Sequence, residues 1–121
     1  MPYTIKWIDR GVYTKTTGKL TFNENIKYVG ELYGDRRFED IDFQISDLLE
    51  ADMSDFNEES AKRIGEFDKI STVWNPKMKV AHIAIDPGVI QIIDSYEKSM
   101  SETGWEFKLF SNLEDAMKWV S

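Results

Sequence analysis

The fold is decided by residues 78–121, which begin with the run Met78-Lys-Val-Ala-His-Ile-Ala-Ile-Asp86. This run has the length of a β-strand, is apolar on both faces and ends at Asp86-Pro87-Gly88, which is typical of a helix start. A helical pattern follows, then the strand-like Trp105-Glu-Phe-Lys-Leu-Phe110, then an amphipathic helix ending at Val120. Strand, helix, strand and helix at this spacing predict right-handed crossovers and a parallel sheet covered by helices.

The amino-terminal part of the chain predicts a hairpin followed by a helix. Tyr3–Trp7 and Val12–Thr17 are rich in β-branched and aromatic residues, and the loop Asp9-Arg10-Gly11 joins them. A three-residue loop with glycine last predicts a type I turn followed by a left-handed residue at Gly11. A helix is expected from Asn23 to Tyr33, because apolar residues recur there at helical spacing.

The middle of the chain predicts one more strand and a long helix. The strand Ile41–Ser46 has Ile41, Phe43 and Ile45 on one face, ends at Asp47, and leads into an irregular loop over Leu48–Phe56. A helix from Asn57 to Trp74 presents a broad apolar face to the core, formed by Ala61, Ile64, Phe67, Ile70, Val73 and Trp74. The predicted order is ββαβαβαβα, an α/β fold with about four helices.

The composition predicts one globular domain over residues 1–121. The chain is 41% hydrophobic and 31% charged, which is typical of a folded domain. It has no cysteine, so disulfides and thiolate nucleophiles are excluded. This composition is compatible with a reducing compartment. The first residues lack the pattern of a signal peptide, and no apolar run approaches the ~18 residues of a membrane span. We therefore expect a soluble, cytoplasmic protein with no integral membrane association.

The net charge of −7 is concentrated in one part of the chain. Residues 35–68 hold twelve Asp or Glu against four Lys or Arg, a local balance of −8, so the remainder is near +1. An acidic chain without a basic stripe repels phosphate backbones and anionic lipid headgroups. We expect a solvated acidic face and no nucleic-acid partner.

Five segments, taken in order, carry a family resemblance: Thr17-Gly-Lys-Leu-Thr21, Ile45-Ser-Asp-Leu48, Lys79–Asp86, Phe107-Lys-Leu-Phe110 and Glu114–Trp119. Together they resemble the SpoIIAA-like proteins, relatives of the STAS domains of bacterial anti-sigma-factor antagonists. The resemblance covers essentially the whole chain and implies a mixed five-stranded sheet with helices packed mainly on one side. It is typical of small bacterial proteins and does not imply an enzyme, and it raises the hypothesis of an apolar or lipid-like ligand.

The resemblance also suggests a phospho-switch at Ser54. STAS antagonists accept phosphate on a serine or threonine at the start of the helix after strand three, and the matching stretch here is Asp52-Met-Ser-Asp55. It has no glycine and no hydroxyl pair, and the acidic side chains around it would repel a phosphate. In the alternative interpretation Ser54 or Asp55 caps the helix, with Asp55 and Glu58 spaced as a capping box.

A ligand or partner site is predicted where the strands end, because open α/β sheets bind ligands beyond the carboxyl ends of their strands. These ends are expected at Asp47, Asp86 and Ser111. Asp86 either caps the next helix or leaves free N–H groups for an anion. The apolar residues of the adjoining loop are Leu48, Leu49, Met53 and Phe56. They either cover the core or form the mouth of an apolar pocket or a partner contact.

Catalysis is the least favoured hypothesis. His82 is the one histidine of the chain and is expected to be a packed imidazole within its strand. The carboxylates form no acid/base or calcium-loop pattern, and no phosphate-binding or dinucleotide-binding glycine motif occurs. We therefore predict no catalytic residue, no metal site and no cofactor.

The predicted function is a non-enzymatic regulatory module that acts through a protein partner, as the fold relatives do. The alternative is a carrier of a small apolar, lipid-like ligand near residues 48–56. An enzyme using His82 or carboxylates comes third. Trp7, Tyr13 and Trp105 lie on probable strands and are candidates for a homodimer contact.

Overall fold

The structure is a computed structural model and describes residues 2–121. Its elements are β1 (Tyr3–Ile8), β2 (Gly11–Lys19), α1 (Phe22–Tyr33), β3 (Phe43–Asp52), α2 (Glu58–Ser71), β4 (Lys79–Ile83), α3 (Pro87–Ser99), β5 (Glu106–Phe110) and α4 (Leu113–Val120). A short 3₁₀ helix covers Arg36–Asp40. The predicted order ββαβαβαβα is confirmed.

The five strands lie in the sheet in the order in which they occur along the chain. β1 is antiparallel to β2, and the other neighbours are parallel, so the sheet is mixed. A parallel neighbour needs a crossover, and α2 and α3 supply the crossovers between β3, β4 and β5.

Helices cover the two faces of this sheet unequally. Tyr3 packs with Ile64 of α2, and Leu48 packs with Val89 and Ile93 of α3. These contacts and those of α1 lie on one side, which we call the three-helix face. The other side, the α4 face, is covered by α4, as in the cluster of Phe43, Ile45, Ala81, Ile83 and Ala116. Strands β3 and β4 are therefore buried on both faces.

The turn between β1 and β2 differs from its prediction. It has two residues, and the left-handed one is Arg10, with φ of 62°, not Gly11. Gly11 serves a different purpose, because a Cβ atom there would lie 2.2 Å from Cε1 of Phe43. The glycine therefore makes room for a core ring and does not shape the turn.

The predicted bounds of strand three, Ile41–Ser46, are wrong at both ends. It begins at Phe43 and continues to Asp52, because β2 pairs with it through Lys19, so the predicted loop at Leu48–Phe56 is strand over its first half. Ile41 precedes the strand and packs on the three-helix face, whereas Phe43 packs on the α4 face. The predicted single face of Ile41, Phe43 and Ile45 is therefore wrong.

The predicted apolar face of α2 is also wrong in its second half. The helix ends at Ser71, and it buries Ala61, Ile64, Gly65, Asp68 and Ser71. The larger apolar side chains lie outside: Phe67 is 48% exposed, Ile70 61%, Val73 78% and Trp74 51%. Close packing explains this choice, since a Cβ atom at Gly65 would meet Oγ of Ser99 at 1.6 Å. The stripe with glycine at its centre faces α3, and the bulkier stripe faces solvent.

Trp105 of the proposed homodimer contact belongs to the core instead. Its side chain is 5% exposed, and its indole N–H donates to the backbone oxygen of Asn75 at 2.6 Å. Trp7 is half-buried with the Arg37 guanidinium over its ring, at 4.7 Å. Trp105 is therefore removed as a dimer contact.

Candidate functional site

Polar side chains on the three-helix face form the most unusual feature of the core. Because the side chains of a strand alternate between its faces, β2, β3 and β4 each direct one or two polar residues to this face. Helices cover the face, so these groups are buried or half-buried. They are Thr14, Thr16, Gln44, Ser46 and His82.

A cavity of about 90 Å³ lies between this polar surface and helices α1, α2 and α3. Hydrogen bonds join Tyr96 to Asp68 and Gln44 to Tyr28, and His82 packs edge-on against Tyr96, so these polar residues of the lining lie together in what we call the polar end. The other end is apolar and includes Leu20, Leu48, Met53, Phe56, Ile64 and Ile92. The cavity thus offers hydrogen-bonding groups at one end and hydrocarbon at the other.

Asp68 is the central charged group of the polar end. Its side chain is on the buried face of α2 and is 4% exposed. The Tyr96 hydroxyl of α3 donates to Oδ2. Among residues 2–121, no group hydrogen-bonds to Oδ1. Burial raises the pKa of Asp68 to about 7, and the nearby hydroxyls of Tyr96 and Tyr33 only partly offset this effect.

The two tyrosines around Asp68 stay protonated. Burial, and then the negative charge of Asp68, raise the pKa of Tyr96 and of Tyr33 well above the ordinary value. The Tyr33 hydroxyl is near enough to lower the pKa of Asp68, although its geometry is not that of a hydrogen bond. Two tyrosines from α1 and α3 therefore converge on one carboxylate from α2.

Tyr28 belongs to a second chain of hydrogen bonds along the sheet. The Gln44 amide donates to the Tyr28 hydroxyl at 2.9 Å, and that hydroxyl donates to Oγ1 of Thr14 at 3.0 Å. Thr14 in turn donates to the backbone oxygen of Ile45 at 3.4 Å. Burial raises the pKa of Tyr28 to about 12, so its hydroxyl stays neutral. The donors of this chain are already engaged within the protein.

His82 has a carboxylate partner, as a catalytic histidine would. Its Nδ1 lies 2.9 Å from Oε2 of Glu97, and its ring stacks on Phe107 at 6.0 Å between centroids. Ser46 is its partner in the adjacent strand. No hydrogen bond joins the Ser46 hydroxyl to His82 within the described part of the chain. The serine, histidine and carboxylate are therefore near one another without forming a connected triad.

A surface groove of about 630 Å³ lies just outside the cavity. It runs between the end of β3, the start of α2 and the start of α3. Met53, Phe56 and Ile92 line both the groove and the cavity. These three apolar side chains are thus the wall between the cavity and the surface.

The structure brings together most, but not all, of the predicted ligand or partner residues. Leu48, Met53 and Phe56 line the cavity. Asp86 and Ser54 line the groove with Met53 and Phe56. Leu49, which is 38% exposed, lines neither.

Asp47 lies away from this site, because β3 does not end there. It occupies the middle of the strand on the α4 face, where its carboxylate accepts a hydrogen bond from the Tyr13 hydroxyl at 2.5 Å. It also accepts one from the backbone N–H of Leu49 at 3.1 Å. The prediction that β3 ends at Asp47 is wrong, and the Asp47 side chain lies on the sheet face opposite the cavity.

The cap predicted for α2 is wrong, and the cap predicted for α3 is confirmed. Asn57 caps α2 and forms a capping box with Ser60. Ser54 therefore lies in the preceding turn, and Asp55 accepts a hydrogen bond from the N–H of Phe22 at 2.8 Å. The predicted cap at Ser54 or Asp55 is wrong, because Asn57 takes that position. Asp86 does cap α3, accepting from the N–H of Val89 at 3.0 Å.

Sequence reasoning missed Asp68, Tyr96, Tyr28 and Gln44. A signal for them was present. Ser46 and His82 are polar residues in strands that helices cover on both sides, and such strands otherwise read as continuous apolar runs. Asp68 lies one helical turn from Ile64, on the stripe that the helix buries. Polar residues in positions that must be buried indicate an internal polar site.

Two properties of the described residues bear on other functions. No group of three or more His, Cys, Asp or Glu is arranged to hold a metal ion within residues 2–121. In the same residues, every helix is too short or too polar to cross a membrane.

The chain is similar to a solved structure, that of an uncharacterized protein of the DUF3478 family with a SpoIIAA-like fold from Shewanella loihica PV-4. The TM-score is 0.55 at 19% sequence identity, and the match covers 98% of this chain and 92% of that chain. At this identity the comparison shows the fold, and the predicted SpoIIAA-like α/β architecture is confirmed. Neither a protein-family model nor a curated protein matches this chain.

Proposed function

We propose that this chain, which has a SpoIIAA-like fold, is a binding module for a small ligand with an apolar body and one polar end. The polar end would lie in the cavity beside Asp68 and Tyr96, and the apolar body would extend past Met53 into the groove. This is the ligand hypothesis drawn from the sequence, moved inward from the 48–56 segment to the space beneath it.

The observation that carries the proposal is the shared wall. A cavity of about 90 Å³ and a groove of about 630 Å³ have Met53, Phe56 and Ile92 in common. Methionine is unbranched and readily changes rotamer, so a wall that contains it can open without breaking backbone structure. Small-molecule sites are mostly apolar with a few placed polar groups, which is the composition of this lining.

Native mass spectrometry tests the proposal with a matched pair of variants. The protein purified from its native host is expected to carry an extra mass that leaves on denaturation. M53W fills the wall and is expected to abolish the extra mass. L49W adds the same side chain at an exposed leucine outside both spaces and is expected to keep it. An extra mass of equal occupancy in both variants would place the ligand elsewhere.

A second candidate function is partner binding, which a different observation supports. Phe67, Ile70, Val73 and Trp74 form an exposed apolar surface at the end of α2, which we call the α2 ridge. Contiguous exposed apolar residues of this kind often mark interaction sites. A regulatory role through a protein partner, suggested by the fold relatives, would use this surface and not Ser54.

The partner proposal is tested by comparing wild type with the double variant I70S/V73S. In a pull-down from the native host, a partner would be retained by wild type and lost from the variant. Sedimentation at high micromolar concentration tests the homodimer version. A monomer would exclude it, and a dimer that persists in the variant would exclude the α2 ridge as its interface. A cytoplasmic location remains part of this proposal, supported by the absence of cysteine.

A further inference from the structure

The Oδ1 atom of Asp68 is a buried acceptor without a donor. The side chain is 4% exposed and lines the cavity. Tyr96 donates to Oδ2, while no group of residues 2–121 donates to Oδ1. A buried carboxylate oxygen left unpaired costs stability, and nearly all buried polar groups in folded proteins have a partner.

Three of the donors around the cavity are engaged elsewhere. The Tyr28 hydroxyl donates to Thr14, and the Gln44 amide donates to Tyr28. Nδ1 of His82 pairs with Glu97. The hydroxyls of Tyr33 and Ser46 also line the cavity and make no hydrogen bond among residues 2–121, so a ligand finds free donors there as well. Oδ1 of Asp68 is the buried acceptor that these groups leave without a donor.

We infer that the ligand carries a hydrogen-bond donor at its polar end, a hydroxyl or ammonium group that bonds to Oδ1 of Asp68. This inference rests on the proposed function. A head group that only accepts hydrogen bonds, such as an ether or a carboxylate, would leave Oδ1 unpaired and add a second acceptor beside it. A site built to bond a donor rejects an analogue that lacks one, because its own buried group then stays unpaired. The unpaired oxygen of Asp68 therefore favours alcohols or amines over ethers and fatty acids.

Two isomers test this selectivity without a change of size or charge. 1-Octanol and 1-methoxyheptane have the same atoms, but only the alcohol donates a hydrogen bond. At pH 8, where Asp68 is charged, we expect wild type to bind 1-octanol about tenfold more tightly than 1-methoxyheptane or better, the range of a hydrogen bond to a charged group. Nuclear Overhauser contacts should join the hydroxymethyl protons of the alcohol to the rings of Tyr96 and Tyr28.

D68L removes the acceptor in a side chain of similar size and is expected to remove the preference for the alcohol. D40L changes an exposed aspartate that has no hydrogen bond or ion pair among the described residues, and it is expected to keep the preference. If D68L does not fold, the comparison of the two isomers on wild type still decides the question.

The outcomes separate this inference from the proposed function. Equal affinity of wild type for both isomers, or a preference that persists in D68L, would overturn the donor inference and leave the cavity as a binding site. Binding of octanoate as tightly as of 1-octanol would overturn it too. If neither isomer binds in the cavity, the proposed function itself fails.

Discussion

The hydroxyl of Tyr96 donates a hydrogen bond to the carboxylate of Asp68, and this bond joins α3 to α2 over the cavity. The two helices also touch through Gly65 and Ser99. A charged acceptor and a phenol donor thus lie between the layer of helices and the sheet. Because a hydrogen bond between buried groups is sensitive to the charge of its acceptor, the stability of this layer depends on the protonation of Asp68.

The first prediction concerns pH. The folded chain keeps the Asp68 proton up to about pH 7, whereas the unfolded chain loses it near the ordinary pKa of 3.8. The folded state therefore binds more protons in this window, and the contribution of Asp68 to the free energy of unfolding falls as pH rises through it. The size is on the order of 4 kcal/mol as an upper bound.

Urea unfolding of wild type, D68N and D40N from pH 4 to pH 8 measures this effect. The free energy of unfolding of wild type should fall as pH rises because of Asp68, and that of D68N should not show this fall. The stability of D68N relative to wild type should therefore increase with pH. D40N, altered at an exposed position, should follow wild type. Parallel curves for D68N and wild type would show that Asp68 keeps an ordinary pKa.

Y96F removes the donor to Asp68 and keeps the ring. We expect it to lower the free energy of unfolding by about 1.5–3 kcal/mol at pH 8, where the carboxylate is charged, and by less at pH 5. Y13F is the control for ligand binding, because it removes a similar hydrogen bond, from Tyr13 to Asp47, on the α4 face away from the cavity. Binding of 1-octanol should change in Y96F and stay the same in Y13F, and an equal change in both would contradict the site.

G11A tests the packing of the hairpin. The added methyl group would collide with the ring of Phe43, so we expect a loss of about 1–3 kcal/mol. Gly30 lies within α1, and nothing is within 4 Å of its added Cβ atom. G30A should therefore be neutral or stabilising by up to about 1 kcal/mol. Equal thermal stabilities of the two variants would show that Gly11 is not constrained by Phe43.

In α2 the large apolar residues of the α2 ridge should contribute less to stability than the residues of the buried stripe. I70S changes a side chain that is 61% exposed and should alter the free energy of unfolding by about 0.5 kcal/mol or less. I64S, on the buried stripe of the same helix, should cost about 2–5 kcal/mol. If I70S were the more destabilising change in urea, the orientation of α2 would be wrong.

The features that could be predicted from the sequence are those that depend on residues close to one another along the chain. The element order, the Asp86 cap of α3 and the central strand β4 follow from periodicity and capping chemistry, which act over a few residues. The orientation of α2 does not follow, because hydrophobicity favours burial of Ile70 and Trp74. The close approach of Gly65 to Ser99, a tertiary contact, decides otherwise.

The candidate site was predictable only at its apolar end. Met53 and Phe56 are conspicuous as apolar residues among acidic ones, and both line the cavity. Asp68 lies in a stretch rich in charged residues, where a buried carboxylate has the same sequence signature as a solvated one. Only the packing of α2 against α1 and α3 distinguishes it, since that packing surrounds Asp68 with Tyr33 and Tyr96.

The most direct test of ligand binding in the cavity is methyl NMR of the wild-type protein during titration with 1-octanol. The account predicts saturable shifts for the methyl groups of Met53, Ile64 and Ile92, which line the cavity. The methyl groups of Ile45 and Ile83, which pack on the α4 face, should keep their positions. Saturable shifts at Ile45 and Ile83 alone, or no saturable shift at the cavity methyl groups, would contradict the account.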